Sequence, residues 1–266
     1  MVLAVLVMLP LACAPAGPPR EMAFVSLPPA ELEIGCTEGQ VGCEDDEVPH
    51  LVTLTQTYRM SETEVTRAQF AEALGYDPSV AFGCGQDCPV ESVTWSEAAA
   101  FANALSEEEG EESCYACTGS GQAVQCTVAI GAPECAGFRL PTEAEWEAAA
   151  RCGTDLPFAG SAEVDEVAWY AGNSGGGPRT VGLLAPNDCG LFDMSGNVWE
   201  WTQDIYGAYP SDPMTDPVGP AQGEGHVNRG GSWHSIGTYT HVAERHKGGL
   251  EATSESFGFR VAASER

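Results

Sequence analysis

The chain has 266 residues, 39 Asp plus Glu against 11 Lys plus Arg, a formal net charge of -28 and 43% hydrophobic residues. That length and apolar fraction suffice to bury a core, so the chain is not an acidic disordered tail. A charge this negative repels phosphate backbones and anionic headgroups, which argues against nucleic acid as a partner.

Residues 2–12 form a short apolar run ending at Ala12-Cys13, followed by a Pro- and Gly-rich stretch over 14–19. This is how an exported lipoprotein signal ends, so 1–19 is read as signal and linker and 20–266 as the mature domain. Membrane contact is then expected only through a lipid on Cys13. The run lacks positive charges, and Pro10 stands where an aliphatic residue is usual, so a misassigned start is the competing reading. Beyond the first 16 residues no apolar stretch is long enough to span a bilayer.

Along the mature chain, 31–34 and 48–55 alternate as strands do. The acidic runs at 44–47 and 107–112 read as solvated loop faces with at most weak cation affinity. Three helices announce themselves by capping boxes at Thr66, Thr94 and Thr142, each with Glu or Gln three residues on. The second places Ala98, Phe101, Ala102 and Leu105 on one face; the third places Trp146, Ala149 and Ala150 together and is expected to stop at Gly153. From Gly153 onward Gly, Pro, Asn and aromatics dominate, so long ordered loops must be held by side chains, disulfides or ions. A last strand is expected at 257–262.

Setting Cys13 aside, ten cysteines remain, an even number that fits disulfides made in an oxidising compartment. The local pairs Cys36/Cys43 and Cys84/Cys88 are expected. Cys114, Cys117, Cys126 and Cys135 read either as further disulfides, the favoured alternative, or as a four-thiolate zinc site.

Five stretches in order then carry a resemblance: Ser61-Glu-Thr-Glu-Val-Thr66, Pro89-Val-Glu-Ser-Val-Thr-Trp95, Phe138-Arg-Leu-Pro-Thr-Glu-Ala-Glu-Trp-Glu147, Gly190-Leu-Phe-Asp-Met-Ser-Gly-Asn-Val-Trp-Glu-Trp201, and Arg229-Gly-Gly-Ser-Trp233 with Gly258-Phe-Arg260. Together they resemble the formylglycine-generating enzyme, or sulfatase-modifying factor, family. The resemblance implies an α+β, C-type-lectin-like fold, low in regular secondary structure and stabilised by disulfides and calcium. It also implies calcium ligands at Asp193, Gly196, Val198 and Glu200, the two acids through carboxylates and the other two through carbonyls. A hard cation wanting six to eight oxygens suits such a Gly-containing loop; the competing reading is a turn whose acids cap backbone amides. Asn173 and Ser174 match a second, weaker calcium site whose loop lacks the family's Asp. On this reading Glu200→Ala lowers thermal stability only when calcium is present.

The family's oxidases hold Cu(I) between two cysteine thiolates just after the Gly-Gly-Ser motif, and here those positions are Ser235 and Thr240. Hydroxyls are hard donors that stay protonated at neutral pH, so copper and the oxidase chemistry are expected to be absent. Trp199, Ser232 and His234 remain as candidate substrate-groove residues. His234, His241 and His246 with Glu244 could hold iron, zinc or Cu(II), but their spacing matches no ligand pattern, and polar groove-lining or surface roles are favoured. Arg139, Arg229 and Arg260 are expected to bridge loops through buried carboxylates.

The leading expectation is therefore an exported cell-envelope or extracellular module that binds a protein, peptide or glycan, or assists another envelope protein. The alternative is an oxidoreductase of the same superfamily, and the plainest reading is a disulfide-linked structural lipoprotein.

Overall fold

The computed structural model describes residues 22–81, 83–210 and 212–265; Cys13 and the signal segment lie outside them. In chain order the elements are β1 (Phe24–Leu27), β2 (Ala30–Ile34), β3 (His50–Leu54), β4 (Tyr58–Ser61), α1 (Arg67–Leu74), α2 (Trp95–Glu109), β5 (Tyr115–Thr118), β6 (Gln125–Val128) and β7 (Phe138–Arg139). There follow α3 (Glu143–Arg151), α4 (Val164–Val167), β8 (Ala168–Trp169), β9 (Ser195–Gly196), β10 (Trp199–Ile205), β11 (Met214–Thr215), β12 (Gly225–Arg229), β13 (Arg245–Gly249), β14 (Phe257–Gly258) and β15 (Ala262–Ser264). It is a mixed α and β fold with few helices, as the sequence implies.

Three sheets organise the core. One runs β1-β4-β15-β7, one β13-β12-β10-β14, and one β11-β3-β2. The hairpin of β2 and β3 follows from alternation: His50, Val52 and Leu54 point inward while Leu51 points out. The expected strand at 257–262 is instead two short strands. Gly258 runs parallel to Glu200 on β10, the chain then turns, and Ala262 pairs antiparallel with Met60 on β4. The break lies where the Phe259 and Val261 carbonyls accept from the Val65 and Ser61 amides and Arg260 turns its side chain inward, so the segment stitches two sheets together.

All three capping boxes form. Thr66, Thr94 and Thr142 each accept from the backbone amide three residues on, and Gln69, Glu97 and Glu145 return the bond. Helix α2 buries Ala98, Phe101 and Ala102, and Phe70, Phe101 and Phe259 meet in one cluster. Helix α3 packs against β2, β3, β10 and β12 around a fully buried Trp146. It ends one residue earlier than expected: Cys152 itself takes the left-handed cap position, φ 47°. Its tether to Cys189 holds that otherwise unfavourable conformation.

The disulfides are Cys36–Cys43, Cys84–Cys88, Cys114–Cys135, Cys117–Cys126 and Cys152–Cys189. The two local pairs match expectation. The zinc alternative is corrected: the four cysteines from 114 to 135 are paired to one another, Cys117 directly across the β5–β6 ladder from Cys126.

Helix α3 also buries its charges. Glu145 receives two hydrogen bonds from Arg139, at 2.6 and 2.7 Å, Glu143 receives two from Arg245, and Glu147 is shared by Arg151 and Arg229. Breaking a buried pair strands its partner at about 3–5 kcal/mol, whereas a lost N-cap costs about 1 kcal/mol. Chemical denaturation should therefore show Glu147→Ala far more destabilised than Thr142→Ala; equal midpoint shifts would mean that these ion pairs hold little.

Candidate functional site

The segment from 193 to 198 enters β10 through an unusual backbone. Asp193, Gly196 and Asn197 all have positive φ, at 55°, 82° and 57°. A side chain at Gly196 would meet the Trp169 carbonyl at 2.3 Å, so close pairing of β8 with β9 requires glycine there. Asn197 tolerates its conformation because its side chain is tied down: Nδ2 donates to Glu64 Oε2 at 2.6 Å and Oδ1 accepts from the Arg179 amide.

This brings Asp193 and Glu200 together with a third carboxylate, Glu64. All three are buried. Glu64 Oε1 accepts from the Val198 amide, and Asp193 Oδ2 accepts from the Gly182 amide at 2.6 Å. Burial, reinforced by Asp193 and Glu200, pushes the Glu64 carboxyl well above the usual range, and burial pushes Asp193 up to about 6. Three acids thus share one guanidinium, Arg260, which grips Glu200 at 2.7 and 2.8 Å. Such a surplus of buried negative charge must be neutralised by protons or by added positive charge. Glu64 has no assigned role in the sequence reading; its signal is an acid between Thr63 and Val65 in a strongly patterned motif.

Glu200 also accepts from Trp146 Nε1 at 2.7 Å. Its removal therefore strands Arg260 and Trp146 whether or not calcium is present, which corrects the expectation that Glu200→Ala acts only through the ion.

At the second expected site, Asn173 Oδ1 accepts from the Tyr170 amide, its Nδ2 donates to the Ala168 carbonyl, and Ser174 Oγ donates to the Trp233 carbonyl. The charged group of that loop is Arg179, whose guanidinium lies 5.5 Å from the Trp169 ring.

At Ser235 and Thr240, the two positions expected to match the family's copper ligands, the Ser235 hydroxyl accepts from the Ser232 amide at 3.1 Å, and buried Thr240 donates to the Gly237 carbonyl at 2.8 Å. The loop is drawn tight: a side chain at Gly231 would meet the Tyr239 carbonyl at 2.1 Å. Trp199 is buried, its ring 5.4 Å from His246, and Ser232 is buried within the turn. His234 is exposed and stacks on Trp233.

The histidines do not converge. His234 stacks on Trp233, His241 lies against Phe158 and His246 against Trp199 and Phe257. Among the described residues the one close group of three such side chains is Cys36, Cys43 and Glu47, with its sulfurs joined in a disulfide. The Ser235–Thr240 segment itself exposes Ile236, at 59%, and Tyr239, at 40%, the latter beside Glu44, and the tip of the Cys36–Cys43 loop, whose Val41 is 83% exposed, approaches Thr238 through Gly42.

A separate cavity of about 680 Å³ opens at the far end of β10 and β12, walled by Gln203, Trp95 and His226. The His226 ring stacks on Trp95 at 4.0 Å.

The model of the sulfatase-modifying factor enzyme 1-like domain matches residues 14–265, and the chain belongs to this FGE-sulfatase family. The formylglycine-generating enzyme of Streptomyces coelicolor is 30% identical across 93% of this chain and 91% of its own length. The chaperone protein LppX of Paenibacillus barcinonensis is 31% identical across 80% of this chain and 82% of its own. The solved structure of Treponema denticola variable protein 1 superposes with a TM-score of 0.79 at 33% identity, over 91% of this chain and 95% of that one. A serine/threonine-protein kinase of Chlamydia pneumoniae, pkn1, is 39% identical over half of this chain, and the match spans 22% of that kinase.

Burial lowers the His226 imidazole to about 4, whereas the unfolded chain protonates it near 6.5. The unfolded state therefore binds more protons between these values, and His226 lowers stability as pH falls from about 6.5 towards 4, by up to about 3 kcal/mol. Comparing the chain with His226→Gln across this window should show a shallower acid loss in the variant. Parallel curves would mean that the histidine is solvated.

Proposed function

We propose that this protein is an exported member of its family that has given up copper oxidation and acts as a binding or accessory module for a protein, peptide or glycan of the cell envelope. The observation that carries this reading is the state of Ser235 and Thr240. Both hydroxyls are engaged with backbone groups of their own loop, and neither can bind Cu(I) as a thiolate does. Around them, exposed Ile236, Tyr239 and Val41 offer a contact surface in place of a reactive centre. Export is supported by the five disulfides, and the name of the LppX relative accords with an accessory role.

Calcium belongs to the same reading. Asp193 and Glu200, with the carbonyls of Gly196 and Val198, would hold it, Glu64 adding negative charge behind them. The ion would supply rigidity to the strained loop, not chemistry. Asp193→Asn should abolish the rise in melting temperature that calcium gives over chelator. An undiminished rise in the variant would remove the ion from this loop.

For the oxidase question, the disulfide-intact protein should retain no Cu(I) against a competing chelator and consume no oxygen with cysteine peptides. One bound copper per chain would overturn the reading. Ile236→Asp with Tyr239→Ser should then weaken capture of envelope partners without lowering the melting temperature; unchanged capture would move the contact surface elsewhere.

A further inference from the structure

The acidic run at 44–47 is not uniformly solvated. Glu44 and Asp45 are exposed, but Glu47 is 2% exposed and faces Glu244, itself 6% exposed. Both Glu47 oxygens and Glu244 Oε2 are buried with no hydrogen-bond partner, and so is Nδ1 of His241, whose carbonyl accepts from the Glu244 amide. Two ionised carboxylates can only accept, so this pair needs either a proton on one of them or a cation between them. The nearest guanidinium, Arg229, is committed through its Nη atoms to Glu147 and to the carbonyls of Val242, Ala243 and Glu244. Glu44 and Asp46 add further negative charge to the pair.

We infer that Glu47 and Glu244 form a divalent-cation site, separate from the Asp193 loop, that fastens the Cys36–Cys43 loop to the segment after Thr240. The oxygen-only donor set favours calcium or manganese over soft metals. The sulfurs of Cys36 and Cys43 lie with a Glu47 oxygen inside 4.8 Å of one another; joined to each other they are no thiolate ligands and wall the site on one flank. Gly42 of the same loop lies against Thr238 and His241, so an ion here would hold the loop tip against that segment. A shared proton is the rival occupant, for burial and Glu47 push the Glu244 carboxyl up to about 8.

The test uses the full disulfide-intact protein in an Asp193→Asn background, which silences the other loop. Equilibrium dialysis against calcium alone, and against manganese alone, at pH 8.5 should show one equivalent bound, lost on adding Glu244→Gln. The melting temperature should rise with either ion only while Glu244 is present. No bound equivalent in the Asp193→Asn protein overturns the proposal whether or not the double variant folds. A proton-only pair, equally overturning, would show as a melting temperature that falls between pH 7 and 9, is indifferent to metal, and flattens in Glu244→Gln.

Discussion

Everything in this fold leans on the way one short helix spends its carboxylates. Glu143, Glu145 and Glu147 of α3 reach Arg245, Arg139, Arg151 and Arg229, which come from β13, β7, the last turn of α3 and β12. With Arg67–Glu91 and Arg260–Glu200, six of the eleven basic residues are buried in ion pairs. In a chain so acidic, cations are scarce, and placing them inside leaves the surface almost wholly negative. Buried pairs stabilise little against apolar isosteres, but a mispaired arrangement is heavily penalised, so they select one packing for long loops that have few ladder bonds.

The same economy explains the functional region. Arg260 serves one carboxylate where three are buried, and Arg229 directs its Nη atoms to α3 and to carbonyls, reaching Glu47 and Glu244 only through its charge. Surplus buried acid is costly unless neutralised. The Glu47–Glu244 pair adjoins the segment after Thr240, so under the proposed function its neutralisation would stiffen the proposed contact surface.

Much of this was legible in the residues. Capping boxes are local, and all three form at the expected threonines. The loop pairs Cys36–Cys43 and Cys84–Cys88 were readable because few residues separate them, whereas Cys152–Cys189 closes 37 residues and depends on tertiary placement. That Ser235 and Thr240 stand where the resembled family is expected to carry cysteines was readable from two positions alone. What sequence could not display was three-dimensional charge balance. Glu64 meets Asp193 only because Asn197 and Val198 reach it from far along the chain, and Glu47 looked like part of a solvated run because burial is decided by what packs on it. The histidines looked like a cluster for the reverse reason: nearness in sequence did not survive the turn at Gly237–Thr240.

The first sheet carries a further consequence. Strands β1 and β15 flank the same neighbour, β4, and run parallel to each other, so the first strand enters the sheet beside Ser61 while the last leaves it beside Tyr58, where Ser26 donates to Glu265. The last residues of the chain therefore clasp the far end of its first strand, and trimming them would leave β4 bare along one edge and Ser26 without its acceptor.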